Sequence, residues 1–178
     1  HLINQIHLFP KPTIAELDGP ALGGGAGLAM ACDFIVMSSR ARIGFPEVLR
    51  GLVPSIVMHD VVRQVGDKRA RQLLLTGQIL DADEAGRWGL SNAVVDPGRC
   101  REEPLSLGRR LLAAAPRAYE STKRLIDEAT RRPGSLSGAA AISAAARVGG
   151  EAVEGMRAFT EKRLPKWDLS TEEKDHRS

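Results

Sequence analysis

The chain has 178 residues, 43% of them apolar and 26% charged, which suits one medium-sized globular unit with a real core and argues against disorder except at the tail. Its formal charge of +3 is carried by short clusters, Lys68–Arg71, Arg109–Arg110 and Arg131–Arg132, and the lack of one long basic run argues against a nucleic-acid partner. Two cysteines, Cys32 and Cys100, make no disulfide framework, and no apolar stretch reaches the ~20 residues that span a bilayer, so a soluble cytoplasmic protein without a membrane contact is expected.

The chain begins with His1 and enters an apolar segment at once, as a piece of a longer polypeptide would. Residues 12–17, Pro-Thr-Ile-Ala-Glu-Leu, have strand composition and stop at Asp18-Gly19-Pro20, a turn signal in which Asp18 is a turn residue. Next comes ALGGGAGLAMACD, residues 21–33, in which Gly23, Gly24 and Gly25 open a small-residue helix over Gly25–Cys32. Cys32 reads as a small core residue of that helix. Glycines let a backbone approach a ligand closely, and the first amides of a helix are unpaired donors with a partial positive charge. This loop is suited to hold an oxygen that becomes negative.

Strands are predicted over Phe34–Met37 and Ala41–Gly44, giving the strand, helix, strand order of an α/β protein. GFPEV then places Glu47 among Phe45, Pro46 and Val48, apolar neighbours that predict partial burial of a carboxylate able to move protons. Beyond Pro54, helices are expected over Ile56–Gln64 and Asp67–Leu75, and a short one begins at Asp81, with Glu84 three residues on, and stops near Gly89. A strand over Asn92–Val95 precedes helices over Glu102–Ala115, Pro116–Arg131, Gly138–Val148 and Glu151–Arg163, with a break at Arg132-Pro133-Gly134-Ser135.

Other glycine-loop chemistries fit less well. A dinucleotide fingerprint needs a third glycine where Leu28 stands, a phosphate loop needs Lys-Ser or Lys-Thr, and a nucleophile elbow needs a hydroxyl or thiol where Ala26 stands. Tight strand-to-helix packing alone remains an alternative for the glycines. No HExxH or Cys/His cluster marks a metal site.

The run KPTIAELDGPALGGGAGLAMACDFIVMSSRARIGFPEVLRGLVP, with GDKRARQLLLTG at residues 66–77, DEAGRWGL at 83–90 and EGMRAFTEKR at 154–163, resembles the enoyl-CoA hydratase/isomerase (crotonase) superfamily. The resemblance runs from Lys11 nearly to the end and corresponds to the later two-thirds of a typical member. It implies an α/β ββα spiral core, here partial over residues 1–97, then a helical oligomerisation region over 98–169 and a flexible tail over 170–178. In such members the earlier third holds the first turns of the spiral, much of the coenzyme A loop and the second oxyanion amide. The implied substrate is an acyl-CoA thioester, with coenzyme A part of the substrate and no separate cofactor. The implied assembly is a homotrimer or a dimer of trimers.

By motif, Gly24 resembles the oxyanion donor to the thioester carbonyl and Glu47 a catalytic glutamate of hydratases. Leu22, Gly23 and Gly25 resemble residues lining that substrate site, and Lys162 a lysine that reaches the coenzyme A phosphates, with a place on a solvated helix face as the alternative. Where well-known hydratases carry a second glutamate, three positions after the middle glycine, this chain has Gly27. One carboxylate suffices for proton transfer along an enolate, whereas hydration is conveniently divided between two. Hydratase, isomerase, decarboxylase and a non-catalytic acyl-CoA-binding subunit all stay open. His59 and Asp60 are weaker candidates, either near an acyl tail or as solvent-facing or capping residues.

Overall fold

The computed structural model describes residues 2–131 and 149–168. The predicted helix over Gly138–Val148, the break at Arg132–Ser135 and the tail lie outside them. Two compact units divide at Ser106/Leu107.

The first unit is built from repeated turns of two strands and a helix. It begins with α1 (Leu2–His7), β1 (Ile14–Leu17), β2 (Pro20–Leu22), α2 (Gly24–Met30), β3 (Phe34–Ser38) and β4 (Arg42–Gly44). A 3-10 turn over Pro46–Arg50 leads to α3 (Met58–Thr76), β5 (Ile79–Asp81), α4 (Ala82–Trp88), β6 (Ala93–Val95) and a second 3-10 turn at Pro97–Arg99. One sheet has the order β1-β3-β6 and is all parallel, whereas the other has β2 parallel to β4 and β4 antiparallel to β5. Ile14 faces Phe34 in the first sheet and Pro20 faces Arg42 in the second, so the turn of about twenty residues from β1–β2 to β3–β4 adds one parallel strand to each sheet.

Side chains lock this register. Thr13 and Asp33 bond reciprocally, Thr13 N donating to Asp33 Oδ2 at 2.7 Å and Asp33 N to Thr13 Oγ1 at 3.0 Å, which pins β1 against β3. Asn92 does the same for β3 and β6, accepting from Ile35 N at 2.8 Å while its own amide donates to Ile35 O at 2.8 Å. Met30, Met37, Ile43, Phe45, Val61, Leu73 and Leu80 fill the core between strands and helices, where full burial of each contributes about 1.5–3 kcal/mol. Gly44 is required by the antiparallel pairing, because a Cβ there would lie 2.7 Å from Gln78 O.

Several boundaries differ from the sequence reading. Pro20–Leu22 is a strand within what reads as a turn, because Gly44 and its neighbours offer it a parallel partner. The two helices predicted on either side of Gly66 are present as two segments of α3 that meet at a kink there, where the φ of 77° and ψ of 166° are non-helical and open to glycine. Asp81 caps α4 as expected, accepting from Glu84 N at 2.8 Å. Cys32 is only half-buried, its thiol against Leu28 O.

Helix α5 (Glu102–Leu111) crosses the division and ends four residues earlier than predicted. The second unit holds α6 (Pro116–Arg131) and α7 (Gly150–Glu161). Glu151 ties the two together, its carboxylate accepting from the leading amides Arg117 N at 2.9 Å and Ala118 N at 3.1 Å.

Candidate active site

Parallel neighbours β2 and β4 end side by side, Leu22 opposite Gly44, and both carry the chain toward the same edge. Ligands of α/β proteins commonly sit at such carboxyl ends. After Leu22 the chain turns at Gly23, whose amide donates to Gly44 O at 2.9 Å, and enters α2 at Gly24. Gly23 adopts φ 55° and ψ −120°, the conformation of the first corner of a type II′ turn.

Within α2 the first intrahelical bond runs from Gly27 N to Gly23 O at 2.9 Å. The amides of Gly24, Gly25 and Ala26 are thus the leading donors that α2 itself cannot satisfy. Gly24 and Gly25 are exposed, and a Cβ on either would meet nothing within 4 Å. Leu22, 38% exposed, points away from the core beside them.

Glu47 arrives from the other strand. Buried Phe45 and Pro46 fix the start of the 3-10 turn, and Glu47 is in its first turn. The carboxylate turns back onto Gly23, so that a Cβ there would lie 2.9 Å from Glu47 Oε1 and 3.4 Å from its Cδ. Glu47 Oε2 is enclosed and has no hydrogen-bond partner among the described residues. A carboxylate oxygen withdrawn from water without a donor is costly, and such groups gather where chemistry is done. The structure therefore brings together Leu22, Gly23, Gly24, Gly25 and Glu47.

The position of the absent second carboxylate is closed. Gly27 is buried in α2, and a Cβ there would stand 2.3 Å from Val57 Cγ1 and 3.4 Å from Ile3 Cδ1. Neither Val57 nor Ile3 was marked by the sequence, since each is an ordinary apolar residue until its neighbour is known.

Asp60 overturns its expected place. It is buried, its carboxylate Oδ2 accepts from His7 Nε2 at 3.1 Å, and Arg63 Nη2 lies 3.7 Å from Oδ1. This pairing fastens α1 to α3, and His7 is the partner that sequence reasoning missed. Its neighbour His59 is exposed. Asp18 pairs with Arg40, whose guanidinium holds that carboxyl below its usual range. Lys162 belongs to the second unit, where it is exposed at the end of α7. Among the described residues no group of three or more His, Cys, Asp and Glu could hold a metal ion, and no helix is long and apolar enough to cross a membrane.

Fold and site together define an α/β spiral protein with a carboxylate facing an open helix start. The enoyl-CoA hydratase/isomerase family profile matches residues 1–170. A Thermus thermophilus protein that bears an enoyl-CoA hydratase name is 43% identical over 169 residues, 93% of this chain and 66% of its own length. The crotonyl-CoA hydratase of Syntrophomonas wolfei is 38% identical over 89% of this chain and 62% of its own. The crystal structure of an enoyl-CoA hydratase/isomerase from Marinobacter aquaeolei superposes with a TM-score of 0.86 at 34% identity, covering 93% of this chain and 64% of that one. The chain belongs to the enoyl-CoA hydratase/isomerase family and has the crotonase fold. It spans just under two thirds of the length of these relatives.

Proposed function

We propose that this chain carries the enolate-forming half-site of an acyl-CoA enzyme, and that its chemistry is proton transfer along an enoyl thioester. The thioester oxygen lies at the start of α2, where the Gly24 amide donates to it as negative charge develops; one such donor is typically worth ~2.7–4 kcal/mol of barrier. Glu47 takes a proton from one carbon and returns it at another, and its enclosed Oε2 suits a group that alternates between charged and neutral forms. Coenzyme A enters as part of the substrate; Lys162, in the second unit, resembles a lysine that meets coenzyme A phosphates in members of the family. Assembly as a trimer or dimer of trimers in the cytoplasm completes the reading.

The observation that carries it is the contact of the Glu47 carboxylate with Gly23, one residue before the unpaired Gly24 amide. Isomerisation is favoured over hydration because Val57 fills the space beside Gly27 that a second carboxylate would need. The test supplies crotonyl-CoA and a 3-enoyl-CoA in deuterated water and follows double-bond position, water addition and deuteration. Migration with deuteration is expected; water addition would restore the hydratase. Decarboxylation of a malonyl-type thioester would identify a decarboxylase, and coenzyme A binding with neither exchange nor turnover a non-catalytic subunit.

A further inference from the structure

Glu47 is held from behind as well as in front. The segment that carries it leaves β4 at Gly44 and makes the 3-10 turn over Pro46–Arg50, and both ends of that segment rest on the short connection between α3 and β5. At its start Gly44 pairs with Ile79, so closely that a Cβ on Gly44 would stand 2.7 Å from Gln78 O and 2.9 Å from Ile79 Cα. At its end Leu49 lies flat on Gly77, where a Cβ would stand 2.7 Å from Leu49 Cγ and 2.9 Å from its Cδ1. Glu47 lies between these two seats in the chain, and its carboxylate meets Gly23.

The connection is a firm platform. Gly77 ends α3 with φ 67°, in the left-handed region that glycine enters without a Cβ penalty. Gln78 N donates to Thr76 Oγ1 at 3.2 Å and Gln72 Nε2 to Gln78 Oε1 at 3.0 Å, so the residue after Gly77 is fastened back to α3. Leu49 itself is 69% exposed. A contact that leaves most of a side chain in water removes little apolar surface, so what this seat supplies is location more than stability. The end of α4 gives the contrast: Gly89 caps that helix with φ 81°, and a Cβ on it would meet nothing within 4 Å.

We propose that Gly77 and Leu49 are positioning residues for Glu47: the leucine, seated on the α-carbon of the glycine, fixes the 3-10 turn so that the carboxylate stays against Gly23, beside the Gly24 amide. The inference rests on the reading of Glu47 as the group that moves the proton. Leu49 shares one short turn with Glu47, so displacing the leucine carries the carboxylate with it. A proton is passed only within hydrogen-bond reach, and misplacement by about 1 Å can cost ~100-fold in rate.

Steady-state turnover of a 3-enoyl-CoA, thermal melting and the NMR resonance of the Glu47 carboxyl carbon, assigned by its loss in Glu47→Gln, test it on the whole chain. Gly77→Ala puts a methyl group where Leu49 sits; kcat is expected to fall about tenfold with KM unchanged, and the Glu47 resonance to move. Gly89→Ala carries the same kind of backbone strain with no side chain to displace, so it is expected to lower the melting temperature while kcat and the resonance keep their wild-type values. Leu49→Ala is expected to lower kcat as well, and the addition of Gly77→Ala to lower it no further, because the clash is gone. Wild-type kcat in either single variant, an equal fall in Gly89→Ala, or losses that multiply in the double variant overturn the positioning role while Glu47→Gln still marks the base. Should Gly77→Ala lose helical circular dichroism, Leu49→Ala decides alone, and wild-type kcat with an unmoved resonance there overturns the proposal. A wild type without turnover or deuterium exchange, or a Glu47→Gln protein with the wild-type rate, overturns the reading of Glu47 and the inference with it.

Discussion

The carboxylate of Glu47 rests against the α-carbon of Gly23, and any side chain at Gly23 would begin 2.9 Å from Glu47 Oε1. Two strands that are neighbours in the sheet but over twenty residues apart in sequence bring them together. Gly23→Ala is therefore expected to displace Glu47 and strain a backbone corner at φ 55°, with a stability cost of about 1–3 kcal/mol. Urea unfolding measures that cost, and an alanine variant as stable as the wild type would contradict the geometry.

Glu47→Gln keeps the shape of the side chain and removes its capacity to carry a proton. Turnover of a 3-enoyl-CoA is expected to fall ~100-fold or more while circular dichroism and coenzyme A affinity stay at wild-type values. Equal rates for the two proteins would remove Glu47 from the chemistry.

Gly27→Glu restores the carboxylate that the well-known hydratases have, into space that Val57 and Ile3 fill. Overpacking of this kind costs about 1–3 kcal/mol, and water addition to crotonyl-CoA is not expected to appear. Adding Val57→Gly should recover part of the melting temperature. Recovery would show that the apolar contact excludes the second acid, whereas a Gly27→Glu protein of undiminished stability would show the space to be open.

Asp60→Ala leaves His7 and Arg63 without the carboxylate between them, in a setting where the His7 and Asp60 side chains are only 9% and 11% exposed. A loss of about 1–3 kcal/mol is expected by chemical denaturation, with Asp60→Asn closer to wild type because an acceptor remains. Because the pair joins α1 to α3, the effect should appear as stability and leave the contact of Glu47 with Gly23 in place.

Acid should loosen the second unit through Glu154. Its carboxyl is lowered from an ordinary 4.5 to about 2 by Arg163, so the folded state binds its proton less readily than the unfolded state does. The pair's contribution is then full above about 4.5 and is lost as the pH falls toward 2. Glu161, lowered by Arg157 and Arg163, acts in the same direction. Thermal melts followed by circular dichroism between pH 7 and pH 2 should show the loss below 4.5, and Glu154→Gln should flatten it. A wild-type protein with acid stability like that of the variant would contradict the pairing.

Much of the site was legible because its signals are local. Gly23–Gly25 between a strand and a small-residue helix, and Glu47 after Phe45 and Pro46, mark a candidate site through backbone permissiveness and immediate neighbours. The bend at Gly66 and the cap at Asp81 were likewise written in single residues with strong conformational preferences. Strand Pro20–Leu22 was missed because its pairing is supplied by β4, and three residues carry no periodicity of their own.

The amino-acid order by itself determined the turn-forming glycines, the helix boundaries that capping residues mark, the candidate base and the single carboxylate. Only the tertiary structure decided that Glu47 closes on Gly23, that Val57 seals Gly27, that Asp60 belongs to His7, and that Lys162 ends α7 with a positive φ next to the Glu154–Arg163 pair. Conformational preference is a property of a residue and its neighbours in sequence. Contact between side chains far apart in sequence is set by which strands pair and which helix faces meet, and that information arises only when the core is packed.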